Sequence, residues 1–363
     1  MEGVDEVEEY KAVQQAFADC KMTNLEVDAV KRILAGILHL GNAKFESAED
    51  DDPCNLSADS AASIKAVADL MDFSESQLSN SLTQRTMSTG GRGSVYKIKL
   101  KKKEAEAARD ALAKHMYLTL FSWIVKKVSD NMQAEKPPAF SIGVLDIFGF
   151  EVMPVNSFEQ LCINFANEKL HQQFIHYVFA LEMEEYDKEK LGITIDYEDN
   201  KDCVELIEKK GTGILGILQE QCQLGARGSD AEFLNNTIQT YNKHKYFIVE
   251  KRSRTEFSIS HYANPVKYET EGFLEKNRDS VNDDIRSLMD STSMPEIKSI
   301  IHKKEDAAAG AAAGARGRKR KVATVANKFK DSLQTLVTVI NSTTPHYVRC
   351  LKSTEKKMPG IFD

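Results

Sequence analysis

Three residues carry the strongest chemical signal in the chain: Asp146, Gly149 and Glu151, in the run Asp146-Ile-Phe-Gly-Phe-Glu151. A carboxylate at the first position can hold the water shell of a magnesium ion. A glycine three residues on lets a backbone N–H approach a phosphate with no side chain in the way. A glutamate two residues further can orient an attacking water or pair with an arginine. Such a D-x-x-G match also occurs by chance or as a tight turn, so its setting decides what it is worth.

The setting is favourable. Ala139-Phe-Ser-Ile-Gly-Val-Leu145 is short and apolar on both faces and predicts a buried strand leading directly into Asp146. Ligands of α/β sheets bind at such strand ends. A long helix is predicted from about Ser157, where Ser157 and Gln160 fit a capping box and Phe158, Leu161, Phe165, Phe174, Val178 and Leu181 form the inner face. The phosphate-cradling pattern G-x-x-x-x-G-K-[ST] does not occur, because the chain contains no Gly-Lys dipeptide.

The remaining pattern is mixed α/β with long helices. Residues 1–45 predict helices, with Val27, Val30, Ile33, Leu34, Ile37 and Leu38 at helical spacing and Gly41-Asn42 as a stop. Residues 46–59 form an acidic loop. In residues 85–103 a glycine-rich stretch, Thr89 to Ser94, is followed by five lysines; a binding loop and a merely solvated one are equally open readings. A helix from about Ala105 to Met132 carries Leu112, Met116, Leu120, Phe121, Ile124 and Val128 on one stripe, with Trp123 in a core role. Residues 202–222 predict helix broken at Gly211-Thr-Gly213. Residues 245–250 and 256–262 predict a hairpin, Val325–Ile340 a helix, and Pro345–Leu351 a second buried strand.

Between the last two regions lies Asp306–Lys321, alanines and glycines followed by Arg316, Arg318, Lys319, Arg320 and Lys321. Its composition predicts an exposed or disordered loop. The cluster stands out in a chain whose 48 Lys and Arg against 55 Asp and Glu give a net −7. A solvated loop, a nucleic-acid patch and a contact for an acidic protein surface compete here, and the missing aromatic interleaving argues against nucleic acid. The six cysteines are scattered without zinc spacing, and His171, His176, His261 and His346 show no metal pairing, so all are read as structural. No apolar run approaches a membrane span and no signal core is present, which predicts a cytoplasmic protein.

These segments resemble the myosin motor domain, collinearly and over nearly the whole chain. Asp146–Glu151 resembles switch II. Asn156-Ser-Phe-Glu-Gln-Leu-Cys-Ile-Asn-Phe-Ala-Asn-Glu-Lys-Leu170 resembles the relay helix. Ala108–Lys114 with Leu120–Ile124 is similar to the helix before the switch II strand, and Ile33–Asn42 to a helix of the upper cleft subdomain. His261–Val266 and Gly272–Asn277 resemble the strand and loop before the surface loop between cleft subdomains, and His346–Cys350 the sheet strand after it.

The resemblance implies a fold of the myosin-type P-loop NTPase head, with long helices around an incomplete central sheet. It implies four segments: 1–138 from the upper cleft subdomain, including an actin-facing loop at 85–103; 139–303 with switch II, relay helix and lower subdomain; 304–324 as a basic actin-binding loop; and 325–363 leading toward a converter. It implies an actin-activated motor using ATP and Mg²⁺. Asp146 and Gly149 would belong to the nucleotide site, with Asp146 holding Mg²⁺ through water. Glu151 would form a gating salt bridge, placing Glu151 and Gly149 in catalysis. Arg316 to Lys321 would contact F-actin in the cytoskeleton, and calmodulin-like light chains would bind a lever beyond this segment. Ser94 occupies a phosphorylatable position, a pattern of class I myosins shared by other lower-eukaryote myosins. The phosphate-binding loop and switch I would precede residue 1, and the converter would follow Asp363, so the chain reads as an internal piece, inactive alone. The rival reading is a stand-alone, non-catalytic actin-binding module. The relay loop Leu191–Tyr197 departs from the family in lacking a tryptophan and in being one residue short.

Overall fold

Amphipathic helices dictate where this chain packs, because each must bury one apolar stripe against another element. A computed structural model describes residues 5–49, 52–88, 95–133, 139–278, 282–302, 324–348, 354 and 360–361. The chain forms two compact units, one from 1–143 and 280–318, the other from 144–279 and 319–363.

The first unit is helical. Helix α1 spans Glu6–Asp19 and α2 spans Asn24–Gly41. The start of α2 is fixed by a reciprocal box: Thr23 Oγ1 accepts from the Glu26 N–H at 3.2 Å, and Glu26 Oε2 accepts from the Thr23 N–H at 2.8 Å. Its buried face is Ala29, Val30, Ile33, Gly36 and Leu40; Leu34 and Leu38, expected on that stripe, are exposed. Gly36 sits at a close approach: a Cβ there would lie 3.3 Å from Met71 Sδ and 3.6 Å from Met116 Cε. Those methionines belong to α3 (Ala61–Met71) and α5 (Lys102–Met132). Leu112, Met116 and Leu120 of α5 are buried, Trp123 packs partly against the core, and Phe121 is exposed. Helices α4 (Glu75–Thr83), α12 (Asp283–Asp290) and α13 (Pro295–Ile301) complete the core through Leu78, Leu82, Ile285, Leu288, Ile297 and Ile300. Residues 283–301, grouped by the sequence reading with the lower subdomain, thus share the core of the first unit.

Inside the acidic loop, β1 (Phe45–Glu46) pairs antiparallel with β2 (Asn55–Leu56). In 85–103 a hairpin forms: β3 (Gln84–Ser88) runs antiparallel to β4 (Val95–Lys99), with Arg85 opposite Ile98. Asp284 clamps β3 by accepting from the Thr86 N–H at 2.7 Å and from the Thr86 hydroxyl at 2.6 Å.

The second unit is built on α6 (Phe158–Ile175), which passes through a π-helical turn at His176–Ala180 into α7 (Leu181–Lys188). Gln160 Oε1 accepts from the Ser157 N–H at 3.0 Å, half of the expected capping box. Helices α8 (Lys201–Glu208), α9 (Ile214–Gln223) and α10 (Asp230–Tyr241) follow. Gly213, at the predicted break, permits a tight turn in which a Cβ would lie 2.5 Å from the Lys209 nitrogen. Strand β5 (Phe247–Val249) and β6 (Glu256–Ser260) form the expected hairpin, and β7 (Pro265–Glu269) adds a third antiparallel strand. Short α11 (Phe273–Asn277) and α14 (Val325–Asn341) close the core around Phe165, Phe233, Phe257, Tyr268 and Phe273.

The mixed class is as expected, but the sheets are small and antiparallel, and the two predicted central strands do not form. Residues 141–148 pair with no neighbour among the described residues; Phe140, Ile142 and Val144 are each more than nine-tenths exposed. Residues 345–348 are likewise not strand, and Val348 is exposed. A segment apolar on both faces becomes a buried strand only beside partners that satisfy its N–H and C=O groups, and no such partner lies among the described residues.

Candidate functional site

The D-x-x-G-x-E segment is seated by asparagines. Asn164 and Asn167 lie one turn apart on α6, and Asn156 precedes that helix. Asn164 Oδ1 accepts from the Glu151 N–H at 2.8 Å, and its Nδ2 donates to the Glu151 carbonyl at 2.8 Å. The carboxamide thereby replaces a neighbouring strand for that one peptide. Asn167 Nδ2 donates to the Phe148 carbonyl at 2.9 Å. Asn156 Oδ1 accepts from the Met153 N–H at 2.7 Å, while its Nδ2 donates to the Met153 and Lys267 carbonyls. Phe150 inserts its ring edge against His261 and Tyr262, centroids 5.4 and 5.6 Å away.

The chemistry-bearing groups remain accessible on this seat. Asp146 and Gly149 are exposed, and a Cβ at Gly149 would meet nothing within 4 Å. Glu151 is half-buried, and among the described residues neither carboxylate has an ion-pair partner. Ser94 and the cluster Arg316, Arg318, Lys319, Arg320 and Lys321 lie outside the described residues.

Beneath the seat lies a polar cluster that the sequence reading did not isolate. The side chains of Glu168 and His261 are fully buried, with His261 Nδ1 2.8 Å from Glu168 Oε2. His261 Nε2 is 2.8 Å from the Tyr268 hydroxyl, which accepts from Asn164 Nδ2 at 3.0 Å. Asn200 Nδ2 donates to Glu168 Oε1 at 2.6 Å, and the Tyr262 N–H donates to Oε2 at 3.3 Å. Glu168, Cys203 and His261 place ligand-type atoms within 4.8 Å of one another. Hydrogen bonds already engage both imidazole nitrogens and both carboxylate oxygens, and burial and the Glu168 charge push the Cys203 thiol well above its ordinary range. The set therefore suits a hydrogen-bond network better than a metal, which requires a thiolate and a free imidazole nitrogen. The available signal was the i, i+4 pair Asn164 and Glu168, polar residues on the same stripe as Leu161 and Phe165.

The described cysteines are free thiols, as expected; four are buried, and burial pushes Cys162 up to about 12. His171 stacks on Tyr262 at 4.0 Å.

The model of the family described as "Myosin head (motor domain)" matches residues 1–363. The chain belongs to the myosin head family. Its relatives include Myosin-6 of Arabidopsis thaliana at 37% identity, Myosin-I heavy chain of Dictyostelium discoideum at 38% and Unconventional myosin-Vb of Homo sapiens at 36%. Each alignment covers 100% of this chain but only 24%, 15% and 20% of the respective relative. Relatives named myosin-I and myosin-Vb match almost equally, so overall identity does not single out the class I pattern. No described helix of this myosin-head chain is long and apolar enough to cross a membrane.

Proposed function

We propose that this chain is the segment of an actin-binding, ATP-driven motor that links a nucleotide-sensing loop to a long output helix. The observation that carries the reading is the double attachment of 148–151 to α6: Asn167 on the Phe148 carbonyl and Asn164 on both polar groups of the Glu151 peptide. A displacement of the loop must move α6 or break these bonds. In this reading 146–151 is switch II and 158–188 the relay helix.

Mg²⁺ and ATP fit the residues present in part. Asp146, exposed and without an ion-pair partner among the described residues, would hold the water shell of the metal, which supplies charge neutralisation at the phosphates. The unobstructed Gly149 would offer its N–H to the terminal phosphate. Glu151, anchored through its main chain, keeps its carboxylate available to pair with an arginine and close the site around water. The Arg316–Lys321 cluster would meet the acidic surface of F-actin, and light chains would bind outside this segment.

In the intact protein, Asn167→Ala and Glu151→Ala are expected to retain Mg-ATP binding while lowering the single-turnover hydrolysis rate roughly hundredfold, the scale of a small mispositioning. Near-normal cleavage in both variants would remove the reading. Co-sedimentation with F-actin without any hydrolysis by the wild type would favour a non-catalytic actin-binding module.

A further inference from the structure

The buried cluster beneath the Glu151 peptide contains an ordered chain of donors and acceptors. Its direction follows from counting hydrogens. Asn164 Oδ1 takes the Glu151 N–H, so its Nδ2 faces the Glu151 carbonyl and the Tyr268 oxygen and donates to both. The Tyr268 hydroxyl then has its own hydrogen to give, and the acceptor 2.8 Å away is His261 Nε2. An accepting Nε2 leaves the imidazole proton on Nδ1, which donates to Glu168 Oε2. Glu168 is held in turn by Asn200 and the Tyr262 N–H. Reversing any link strands a buried group: were Nε2 to donate, the Tyr268 oxygen would receive two hydrogens and its own O–H would lose its partner. Burial keeps the Tyr268 hydroxyl protonated far above its ordinary range, as the chain requires.

We propose that Tyr268, His261 and Glu168 are positioning residues for the 148–151 segment, a one-way relay that fixes which edge of Asn164 meets the Glu151 peptide. None of the three touches that peptide. Each acts on the next, and the last link is the carboxamide that holds Glu151 in register. Phe150 closes the arrangement by packing on the same imidazole ring. The functional consequence rests on the motor reading above; the relay itself does not.

The test uses the intact protein with three substitutions. Tyr268→Phe removes one oxygen and keeps the ring. His261→Asn keeps a donor near the position of Nδ1 but cannot reach Tyr268. Cys203→Ala opens the same pocket without cutting the chain. Two measurements at neutral pH read the relay directly: the ¹⁵N resonances of the His261 ring and hydrogen exchange at the Glu151 amide. The wild type is expected to show a protonated Nδ1 and a bare Nε2. Tyr268→Phe and His261→Asn are expected to speed Glu151 exchange roughly tenfold, the scale of one weakened hydrogen bond, leaving the β6 amides and the Cys203→Ala protein unchanged. A proton on Nε2, or Glu151 exchange equal to wild type in Tyr268→Phe, overturns the relay. Mg-ATP turnover is measured alongside. If the wild type turns over and Tyr268→Phe slows it together with faster exchange, the relay serves the motor. If the wild type does not turn over, the motor reading fails while the exchange result still decides the relay.

Discussion

Asn164 and Glu151 form a closed pair, two hydrogen bonds of 2.8 Å running in opposite directions between one carboxamide and one peptide group. Because Asn164 is fully buried, removing it leaves polar groups with nothing to bond. Asn164→Ala is expected to destabilise the second unit by about 1–3 kcal/mol, and Asn164→Asp by at least as much, since a carboxylate faces the Glu151 carbonyl in place of a donor. Denaturant unfolding checks this; wild-type midpoints in both variants would contradict it.

Cys162 gives a prediction in pH. Its thiol is held at about 12 by burial and by the nearby Glu159, against 9.0 ordinarily. A raised folded value means the unfolded thiol ionises first. The contribution is therefore complete below about pH 9 and lost progressively as pH rises toward 12. Cys162→Ala is expected to flatten the decline of stability between pH 9 and 11 relative to wild type, read from thermal melts. A parallel decline would exclude the thiol as its source.

Ser94 lies between β3 and β4, on a hairpin whose first strand is clamped by Asp284. A phosphate there adds about −1.5 to −2 charges. In the intact motor, Ser94→Glu is expected to raise actin-activated turnover and Ser94→Ala to lower it, with basal turnover little changed. Asp284→Ala, which frees the strand, is expected to shrink that difference. Equal activation in the two Ser94 variants would refute the reading.

Neutralising Arg316, Arg318, Lys319, Arg320 and Lys321 is expected to slow association with F-actin and to flatten its dependence on ionic strength, because exposed charges act through steering that salt screens. Stopped-flow association from low to physiological salt provides the check; an unaltered salt slope would rule the cluster out.

Helices were legible in the sequence because their signals are local. The Ser157 and Gln160 box, the Gly41-Asn42 stop and the Gly211–Gly213 break all lie within a few residues of what they control. The strands at 139–145 and 345–351 were misread because an apolar run says nothing about whether a partner stands beside it. The β3–β4 hairpin escaped because Tyr96 and Ile98 are exposed, so no buried face distinguishes it from a lysine-rich loop. Asp146, Gly149 and Glu151 could be picked out by spacing, but what holds them could not. Asn164, Glu168, Asn200, His261 and Tyr268 meet across 32 to 104 positions of sequence, and no periodicity records such a meeting.

The π-helical turn at His176–Ala180 sets an angle as well as a bend. A wide turn accommodates one residue more than an α turn, and each residue of an α-helix spans about 100° of rotation and 1.5 Å of rise. The side chains of α7 are therefore out of phase with those of α6 by about that much, like two lengths of screw joined with a dropped thread. Tightening that turn by one residue would rotate Leu181–Lys188 through the same angle about the helix axis, so a shift along α6 of little more than an ångström corresponds to a change of direction for every side chain beyond Ala180.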